Sequence, residues 1–236
     1  KDSLPDRTAP STTAMKLEDF VGNQPIVQLM KNGHLPPACL FAGLDGIGKK
    51  TLALGLAALA NCRDSSLQDL CGKCSSCLKA ASGQHPDIRL IEPQKGSLKI
   101  EIMREFNREV QYRPFEGRLR FFIIDQAETM TEEAANSILK TIEEPPDSSR
   151  IILVSAFPHQ LLATIRSRCQ VFRFFPLSQR EIQNYLKNNG SAENLELTAA
   201  FSEGSIGRAQ KLDLEEALKD RDRMLDLLTS WCSHQS

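Results

Sequence analysis

The sequence lacks an excess of charge of either sign, with 29 Lys and Arg against 30 Asp and Glu. This balance excludes a basic field over the whole surface, so any contact with nucleic acid has to be local or come through a partner. The sequence also lacks a secretory signal and any apolar run near the roughly 18 residues of a membrane span. Its 236 residues, 41% hydrophobic and 25% charged, predict a soluble globular protein with one large and one smaller domain.

The first fourteen residues, Lys1 to Ala14, lack the mixed composition of the rest and are rich in Pro, Ser and Thr. Met15 opens a sequence with the usual mixture of apolar and charged residues. We therefore expect residues 1–14 to be a leader that is cloning-derived or disordered and takes no part in the fold.

A glycine-rich loop at residues 43–51, GLDGIGKKT, lacks one residue of a phosphate-binding loop. The pattern G-x-x-x-x-G-K-[ST] is met except at its last position, where Lys50 replaces the hydroxyl residue that normally holds magnesium. The loop follows an apolar run, Ala38–Ala42, and precedes an Ala/Leu-rich segment, Thr51–Asn61, as in a strand, loop and helix. The residues that we assign to nucleotide binding are Gly43, Gly46, Gly48, Lys49, Lys50 and Thr51.

This loop predicts a protein that binds a nucleotide and hydrolyses it poorly. Thr51 lies one residue beyond the missing hydroxyl, a rotation of roughly 100° on a helix, so it would point away from a magnesium ion. The alternative interpretation is a glycine turn before a buried helix, without any ligand.

Four of the seven cysteines are spaced like metal ligands, in the pattern Cys62-x8-Cys71-x2-Cys74-x2-Cys77. Four thiolates fill a tetrahedral structural zinc site and leave no open position for catalysis. Disulfides are the weaker prediction for a cytosolic nucleotide-binding protein. An iron–sulfur cluster and free thiols stay open as alternatives, although the Cys-Pro typical of such clusters is missing. His85 could substitute for one ligand, but the sequence His-Pro-Asp more simply indicates a loop.

Apolar segments of strand length alternate with amphipathic segments from about residue 20 to 175. This alternation predicts an α/β fold with a parallel sheet covered by helices on both faces. The predicted strands are Ala38–Ala42, Asp87–Ile91, Arg120–Asp125, Arg150–Ser155 and Gln170–Phe174. The predicted helices are Gln24–Lys31, Thr51–Asn61, Ile100–Tyr112, Glu132–Glu143 and Leu161–Ser167.

From Ser178 onward the sequence indicates helices throughout. Ser178 and Glu181 have the spacing of a capping box at the start of one helix, and two further helices follow at Ala192–Ser202 and Ile206–Leu212. These residues predict a small helical lid domain. Leu214–Trp231 predicts one more amphipathic helix, whose apolar stripe indicates a truncated domain or a partner surface.

The segment Arg120–Asp125 is an apolar strand that ends in an acid, the usual second part of a phosphate-loop site, where the acid helps to hold magnesium. The next residue is Gln126 rather than a glutamate that activates water, and a neutral amide cannot act as a general base. Ser155, at the end of another predicted strand, is suited to sense a γ-phosphate. The alternative role of Asp125 is a simple cap after a buried strand.

The segment Thr164–Cys169 carries Arg166 and Arg168 beside a predicted strand. An arginine there could reach the phosphates in a neighbouring subunit, since its guanidinium makes bidentate contacts with phosphate oxygens. Solvated arginines at a domain edge are the plainer interpretation of these residues taken alone.

The ordered set of motifs resembles the clamp-loader subunits of bacterial DNA polymerase III, members of the AAA+ superfamily. The resemblance covers roughly residues 16–212 and is closest to the delta-prime subunit. The motifs that carry it are GLDGIGKKT, the four-cysteine knuckle, HPD, FFIIDQAETM, ANSILKTIEEPP, TIRSRC and EGSIGRA.

The resemblance implies roles for single residues. It implies that Arg168, in the SRC motif, reaches the ATP site of a neighbouring subunit, and that Arg208 is a second nucleotide sensor in the lid. Ser155 would be the first sensor, Asp125 the magnesium-associated acid, and the four cysteines the ligands of a structural zinc ion. The implied nucleotide is ATP or ADP, with or without magnesium. The implied partners are the gamma/tau motor subunit, the delta subunit and, through the complex, the sliding clamp and primed DNA, all in the cytoplasm.

The domains implied by the resemblance are an AAA+ nucleotide-binding domain at residues 15–176 with an inserted zinc knuckle at 62–77, a helical lid at 177–212, and the start of a truncated collar domain at 213–236. The expected function is that of a delta-prime-like subunit with weak or absent ATPase activity, because Lys50 and Gln126 depart from the motor subunit's Thr and Glu. Two alternatives stay open: an ATP-hydrolysing gamma/tau motor subunit, and a zinc-stabilised nucleic-acid-binding module with a vestigial loop.

Overall fold

The computed structural model describes residues 16–64, 68–190 and 194–233, and the predicted leader at residues 1–14 lies outside them. The chain forms two compact units. The sheet unit comprises the chain up to Gly43 together with Lys49–Phe174, and the helical unit comprises Leu44–Gly48 together with the chain from Phe175 onward.

The sheet unit is built on five strands: β1 (Ala38–Ala42), β2 (Ile88–Ile91), β3 (Arg120–Ile124), β4 (Ser149–Ser155) and β5 (Gln170–Arg173). They pair in the order β2-β3-β4-β1-β5, and every pair is parallel. The three central strands are buried over nearly their whole length, whereas β2 and β5 at the edges are partly exposed. Burial on both faces explains why the central strands have continuous apolar sequences. The predicted α/β fold with a parallel sheet is confirmed.

Seven α-helices accompany the described part of this sheet: α1 (Gln24–Lys31), α2 (Lys49–Ala60), α3 (Ser75–Ala81), α4 (Ile100–Glu109), α5 (Glu132–Ser137), α6 (Leu139–Glu143) and α7 (Ala163–Arg166). Helix α2 is buried over most of its surface, because its Ala, Leu and Gly residues let it pack closely against β2, β3 and β4. Helix α4 packs Phe106 edge-on against Phe122 of β3, with ring centroids 5.2 Å apart. These contacts fix α2 and α4 against the sheet.

The single helix predicted at Glu132–Glu143 is divided at Ile138, whose backbone has φ −99° and ψ −4°. The Ser137 carbonyl, at the end of α5, accepts a hydrogen bond from Asn107 Nδ2 at 2.8 Å. Asn107 Oδ1 in turn accepts one from the Thr141 hydroxyl at 2.7 Å. This side chain of α4 competes for a carbonyl that a continuous helix would use, and such an insertion into the helical ladder is a known cause of breaks.

Helix α4 ends at Glu109, before the predicted end at Tyr112, and leads into a loop that contains Pro114. The fully buried carboxylate of Asp87 accepts the backbone N–H groups of residues 115–117 at 2.6, 2.9 and 2.7 Å. Burial alone would raise the pKa of Asp87, but these donors outweigh it and hold the pKa below its ordinary value. The loop is therefore clamped to the start of β2.

We expect Asp87→Asn to lower the free energy of unfolding by about 2–4 kcal/mol, because the amide turns a donor toward N–H groups that the carboxylate satisfies. Since the folded-state pKa of Asp87 is depressed, its charge stabilises the fold fully above the unfolded-state pKa, and this is lost as pH falls through the folded-state pKa. Urea unfolding should show a difference from the wild type that shrinks below about pH 4. Asp147→Asn, at an exposed position, is the control. An equal loss in both variants would contradict the clamp.

The helical unit contains α8 (Gln179–Asn188), α9 (Leu195–Phe201), α10 (Ile206–Lys211) and α11 (Leu214–Ser233). The predicted capping box is confirmed, since Ser178 and Glu181 exchange side-chain-to-backbone hydrogen bonds at the start of α8. The first residues of the helix predicted from Ala192 lie outside the described residues. Helix α11 exposes Met224 and Leu227. In the part of the chain that the structure describes, every helix is too short or too polar to cross a membrane.

Candidate functional site

The predicted nucleotide site lies at the edge of the sheet where the parallel strands end. Ala42 and Ser155 are register partners at the ends of β1 and β4, and the Gly43 N–H donates to the Ser155 carbonyl at 3.3 Å. Ile91 and Ile124 are likewise partners at the ends of β2 and β3, so the residues that follow them, starting with Glu92, are neighbours. Ligands of open parallel sheets bind at this edge.

The phosphate-loop motif has the backbone that its glycines predict. Gly46 and Gly48 have φ values of 74° and 97°, which side chains strongly disfavour. Lys49 begins α2, is only 4% exposed, and donates from Nζ to the Gly43 carbonyl at 2.8 Å. The Lys49 ammonium thus lies at the start of the loop, where it could also contact a phosphate. Thr51 follows in the first turn of α2 and is partly buried.

Within the helical unit, the middle of the loop is hydrogen-bonded to the start of α10. The Gly207 N–H donates to the Gly46 carbonyl at 2.9 Å, and the Ser205 hydroxyl donates to the Asp45 carbonyl at 2.7 Å. A Cβ on Gly46 would lie 2.6 Å from Ser205 Oγ, so only glycine fits here. Arg208, the predicted second sensor, lies on α10 and pairs its guanidinium with Glu203.

Lys50 forms two ion pairs at the strand edge. Its Nζ lies 2.9 Å from Asp125 Oδ2 and 3.0 Å from Glu92 Oε1. Burial by itself lowers the pKa of Lys50, but the hydrogen bonds to the two carboxylates outweigh it and leave the pKa raised. Asp125 is only 6% exposed, so a nearly buried acid has its countercharge on this chain.

Three other residues of this edge differ in their surroundings. Gln126 is exposed and has a left-handed backbone with φ 48° and ψ 47°. Ser155 is fully buried, and its hydroxyl has no hydrogen-bond partner among the described residues. Glu128 Oε1 accepts the backbone N–H of Ala156 at 3.0 Å, which fixes the chain just after β4.

Arg168 lies just after α7 and is held at the surface by its own chain. Its Nε donates to Glu143 Oε2 at 2.7 Å, and one terminal nitrogen donates to the Thr164 carbonyl at 3.2 Å. The side chain of Arg168 is 34% exposed and that of Glu143 is 56% exposed. The guanidinium is therefore oriented while it stays accessible to another molecule.

The four predicted metal ligands, Cys62, Cys71, Cys74 and Cys77, come together, with all four Sγ atoms within 4.8 Å of one another. A tetrahedral zinc site with Zn–S bonds of about 2.3 Å has sulfur atoms roughly 3.8 Å apart, and Cys71 Sγ and Cys77 Sγ lie 3.9 Å apart. The residues therefore fit a structural zinc ion.

The surroundings of the cluster also suit thiolates. The backbone N–H groups of Cys71, Cys74 and Cys77 each point at the sulfur of another cysteine of the cluster, at 3.3–3.4 Å. Burial raises the pKa of Cys74, but such N–H donors and the neighbouring thiols outweigh it and lower the pKa to about 6. Leu70 and Ala80 pack with the cysteines against Ala58 of α2.

His85 is not a ligand of this cluster. Its Nδ1 accepts the Asp87 N–H at 3.1 Å, and its Nε2 lies 3.0 Å from the Ser76 hydroxyl, which itself donates to the Asn61 carbonyl at 2.7 Å. Both ring nitrogens are thus used within the fold. Burial lowers the pKa of His85, which favours this neutral form.

Sequence reasoning missed the acids that pair with the predicted cations. Glu92 pairs with Lys50, Glu143 with Arg168 and Glu203 with Arg208. Glu92 could have been found, because it follows one parallel strand as Asp125 follows the next. The other two carry no signal in the sequence beyond their charge.

Comparisons with known proteins agree with this architecture. Residues 23–178 match the family model described as "DNA polymerase III, delta subunit". The chain is 31% identical over 205 residues to DNA polymerase III subunit tau of Escherichia coli (strain K12), covering 82% of this chain and 32% of that protein. It is 31% identical over 199 residues to subunit delta' of Bacillus subtilis (strain 168), covering 84% of this chain and 60% of that protein.

Among solved structures, the RuvB Holliday junction branch migration motor of Thermotoga maritima has the same fold, with a TM-score of 0.56 and 16% identity over 93% of this chain and 68% of that one. The chain spans only part of these two curated relatives: 32% of the length of the tau subunit and 60% of the length of the delta' subunit. The family match covers the whole sheet and the loops at its carboxyl edge. The chain therefore belongs to the DNA polymerase III clamp-loader family of delta, delta' and gamma/tau subunits, which has the AAA+ fold.

Proposed function

We propose that the chain is a delta-prime-like subunit of a DNA polymerase III clamp loader, which supports the ATP-dependent loading of the sliding clamp onto primed DNA. In this proposal it hydrolyses little or no ATP itself. It supplies Arg168 to the ATP site of an adjacent gamma/tau motor subunit, where the guanidinium stabilises the charge of the transition state. The delta subunit is its other partner in the complex.

The observation that carries the proposal is the ion pair between Lys50 and Asp125, at 2.9 Å. Lys50 stands where motor subunits need a hydroxyl, and its ammonium binds the acid that would face the metal. Gln126 adds a second departure, because it cannot accept a proton from water. The two substitutions affect different steps, metal binding and activation of water, and together they support a subunit that hydrolyses little or no ATP.

The geometry of Arg168 supports the second half of the proposal. A finger has to be accessible and yet oriented, since a freely rotating side chain loses entropy when it binds. Arg168 meets both conditions through its hydrogen bonds to Glu143 and Thr164. A guanidinium rather than an ammonium suits bidentate contact with phosphate oxygens.

The remaining assignments belong to the same proposal. Gly43, Gly46, Gly48, Lys49 and Thr51 would cradle the phosphates of ATP or ADP, with Ser155 and Arg208 as sensors. The four cysteines would hold zinc in a structural role. The domains would be those predicted, with a lid at residues 177–212 and the start of a collar domain from residue 213.

The purified protein is expected to turn over ATP at the background rate, with no difference between the wild type and Lys49→Ala. The physical reason is that Lys50 stands in place of the metal-binding hydroxyl and Gln126 in place of the acid that would accept a proton from water. Phosphate release measured with excess ATP and magnesium tests this. Turnover of about 1 s⁻¹ or more, within the ordinary range of enzymes, that is lost in Lys49→Ala would contradict it.

That contrary result would favour the gamma/tau motor subunit, the alternative that the 31% identity to the tau subunit keeps open. Lys31→Ala is a suitable control for a general effect of removing a lysine. Its Nζ lies 3.4 Å from Asp69, and it belongs to α1 rather than to the strand edge. A motor subunit would keep its turnover in the control.

A further inference from the structure

Lys50 brings a positive charge into the position of the phosphate-loop hydroxyl. Its ammonium lies between Asp125 Oδ2 and Glu92 Oε1, at 2.9 and 3.0 Å. Both distances are those of charge-assisted hydrogen bonds. Lys50 is a residue of α2, so its side chain holds this cation covalently at the strand edge.

The residues of this edge do not fit a magnesium ion. Magnesium demands near-octahedral oxygen ligands at about 2.0–2.1 Å. The hydroxyl ligand is replaced by Lys50, and the Oδ2 atom of Asp125 is already hydrogen-bonded to the ammonium. A metal ion on that oxygen would stand within a few ångströms of a second positive charge and would be repelled by it.

We propose that the Lys50 ammonium takes the place of magnesium, so that this site excludes divalent cations and binds a nucleotide polyphosphate as a metal-free anion. The proposal rests on the loop's being the phosphate site of the proposed function. The single positive charge of Lys50 offsets one of the two negative charges of Asp125 and Glu92, whether or not a ligand is bound. An uncompensated carboxylate at a nearly buried position would destabilise the fold, and the tethered cation removes that cost without a metal.

The first experiment titrates Mn²⁺, as a paramagnetic probe of divalent sites, into zinc-loaded protein. Lys50→Thr restores a hydroxyl and frees both carboxylates, and it should bind Mn²⁺ at least tenfold more tightly than the wild type. Lys50→Met frees the carboxylates without adding a ligand and should bind more weakly than Lys50→Thr but more tightly than the wild type. Asp125→Asn added to Lys50→Thr should return the affinity to the wild-type value.

Lys187→Thr controls for the loss of one positive charge, since Lys187 is exposed on α8 and far along the chain. It should leave Mn²⁺ affinity unchanged. Thermal unfolding of each variant shows whether it is folded, and Lys50→Met decides the matter if Lys50→Thr is not. Equal Mn²⁺ affinity in the wild type and both Lys50 variants would overturn the proposal.

The second experiment measures ADP binding by calorimetry with magnesium and with EDTA. The wild-type dissociation constant should agree within twofold in the two buffers, and Lys50→Thr should bind at least tenfold more tightly with magnesium. A tenfold gain of the wild type with magnesium would overturn the proposal. If ADP binds in neither buffer, the polyphosphate half of the proposal is wrong and the Mn²⁺ titration still decides cation exclusion. Neither experiment uses a partner subunit or Arg168, so its failure is distinguishable from failure of the proposed function.

Discussion

Arg168→Ala, placed in this subunit of a reconstituted clamp loader, is expected to slow ATP hydrolysis at the adjacent motor subunit by about 10³- to 10⁵-fold. That range is the usual worth of an arginine that reaches across a subunit boundary to a transferring phosphoryl group. Clamp loading should fall with it, while hydrolysis at sites that do not face this subunit should continue. Single-turnover hydrolysis, with one ATP bound per site, measures directly the fraction of ATP whose hydrolysis is slowed.

The structure also predicts how other substitutions at Arg168 and at its partner Glu143 affect hydrolysis. Arg168→Lys should rescue little of the activity, because an ammonium lacks the planar fork that binds two oxygens at once. Glu143→Gln should have an intermediate effect, since it weakens the hydrogen bond from Arg168 Nε, now 2.7 Å long, and leaves the guanidinium in place. This order of effects, with Ala and Lys severe and Glu143→Gln mild, separates a reacting guanidinium from a surface charge.

Arg166→Ala is the matched control for Arg168→Ala. Both arginines are exposed, and they lie two positions apart, with Arg166 as the last residue of α7 and Arg168 just after the helix. A general loss of positive charge, or damage to α7, would affect both variants alike. Unchanged turnover in an intact Arg168→Ala complex, or equal losses in both variants, would contradict the role of Arg168 in the neighbouring site.

Where a structural feature depends on local sequence, it could be predicted. The central strands β1, β3 and β4 have no exposed face to encode, so each is a continuous apolar run that stands out from its surroundings. The capping box of α8 involves residues only three apart, and three of the four clustered cysteines lie within seven residues. Such features need no knowledge of the rest of the chain.

Where a feature depends on distant parts of the chain, it could not be predicted. The partner of Arg168, Glu143, lies 25 residues away in the sequence. The break between α5 and α6 depends on Asn107, 30 residues before the carbonyl that it binds. Their charge and polarity predict only that such residues lie at the surface. Which of them contact one another depends on the tertiary structure.

The knuckle helix α3 escaped prediction for a related reason. Ser75–Ala81 is too short to show a helical period, and isolated helices of this length are unstable in water. Its stability comes from outside, through Cys74 at its N-cap, whose sulfur accepts the Cys77 N–H, and through packing of Ala80 against α2. The helix therefore depends on the cysteine cluster.

Cys74→Ser is accordingly expected to release zinc and to lower the free energy of unfolding by more than about 4 kcal/mol, a size associated with loss of a metal. At about 2–4 °C per kcal/mol for a chain of this size, the midpoint of thermal unfolding should fall by roughly 8–16 °C. Elemental analysis should find one zinc per chain in the wild type and none in the variant. Because α3 packs on α2, which begins at Lys49 of the phosphate loop, the loss should also loosen that loop.

Ser75→Ala is the control, since Ser75 is exposed and adjacent to Cys74 but has no place in the cluster. It should keep the zinc and change the stability by less than about 0.5 kcal/mol, the usual effect of a surface substitution. A brown protein containing iron would contradict the zinc assignment, as would a colourless wild type without zinc that unfolds at the same temperature as Cys74→Ser. A chelator should reproduce the effect of Cys74→Ser in the wild type and have none on the variant, because metal binding and folding of the knuckle are the same equilibrium.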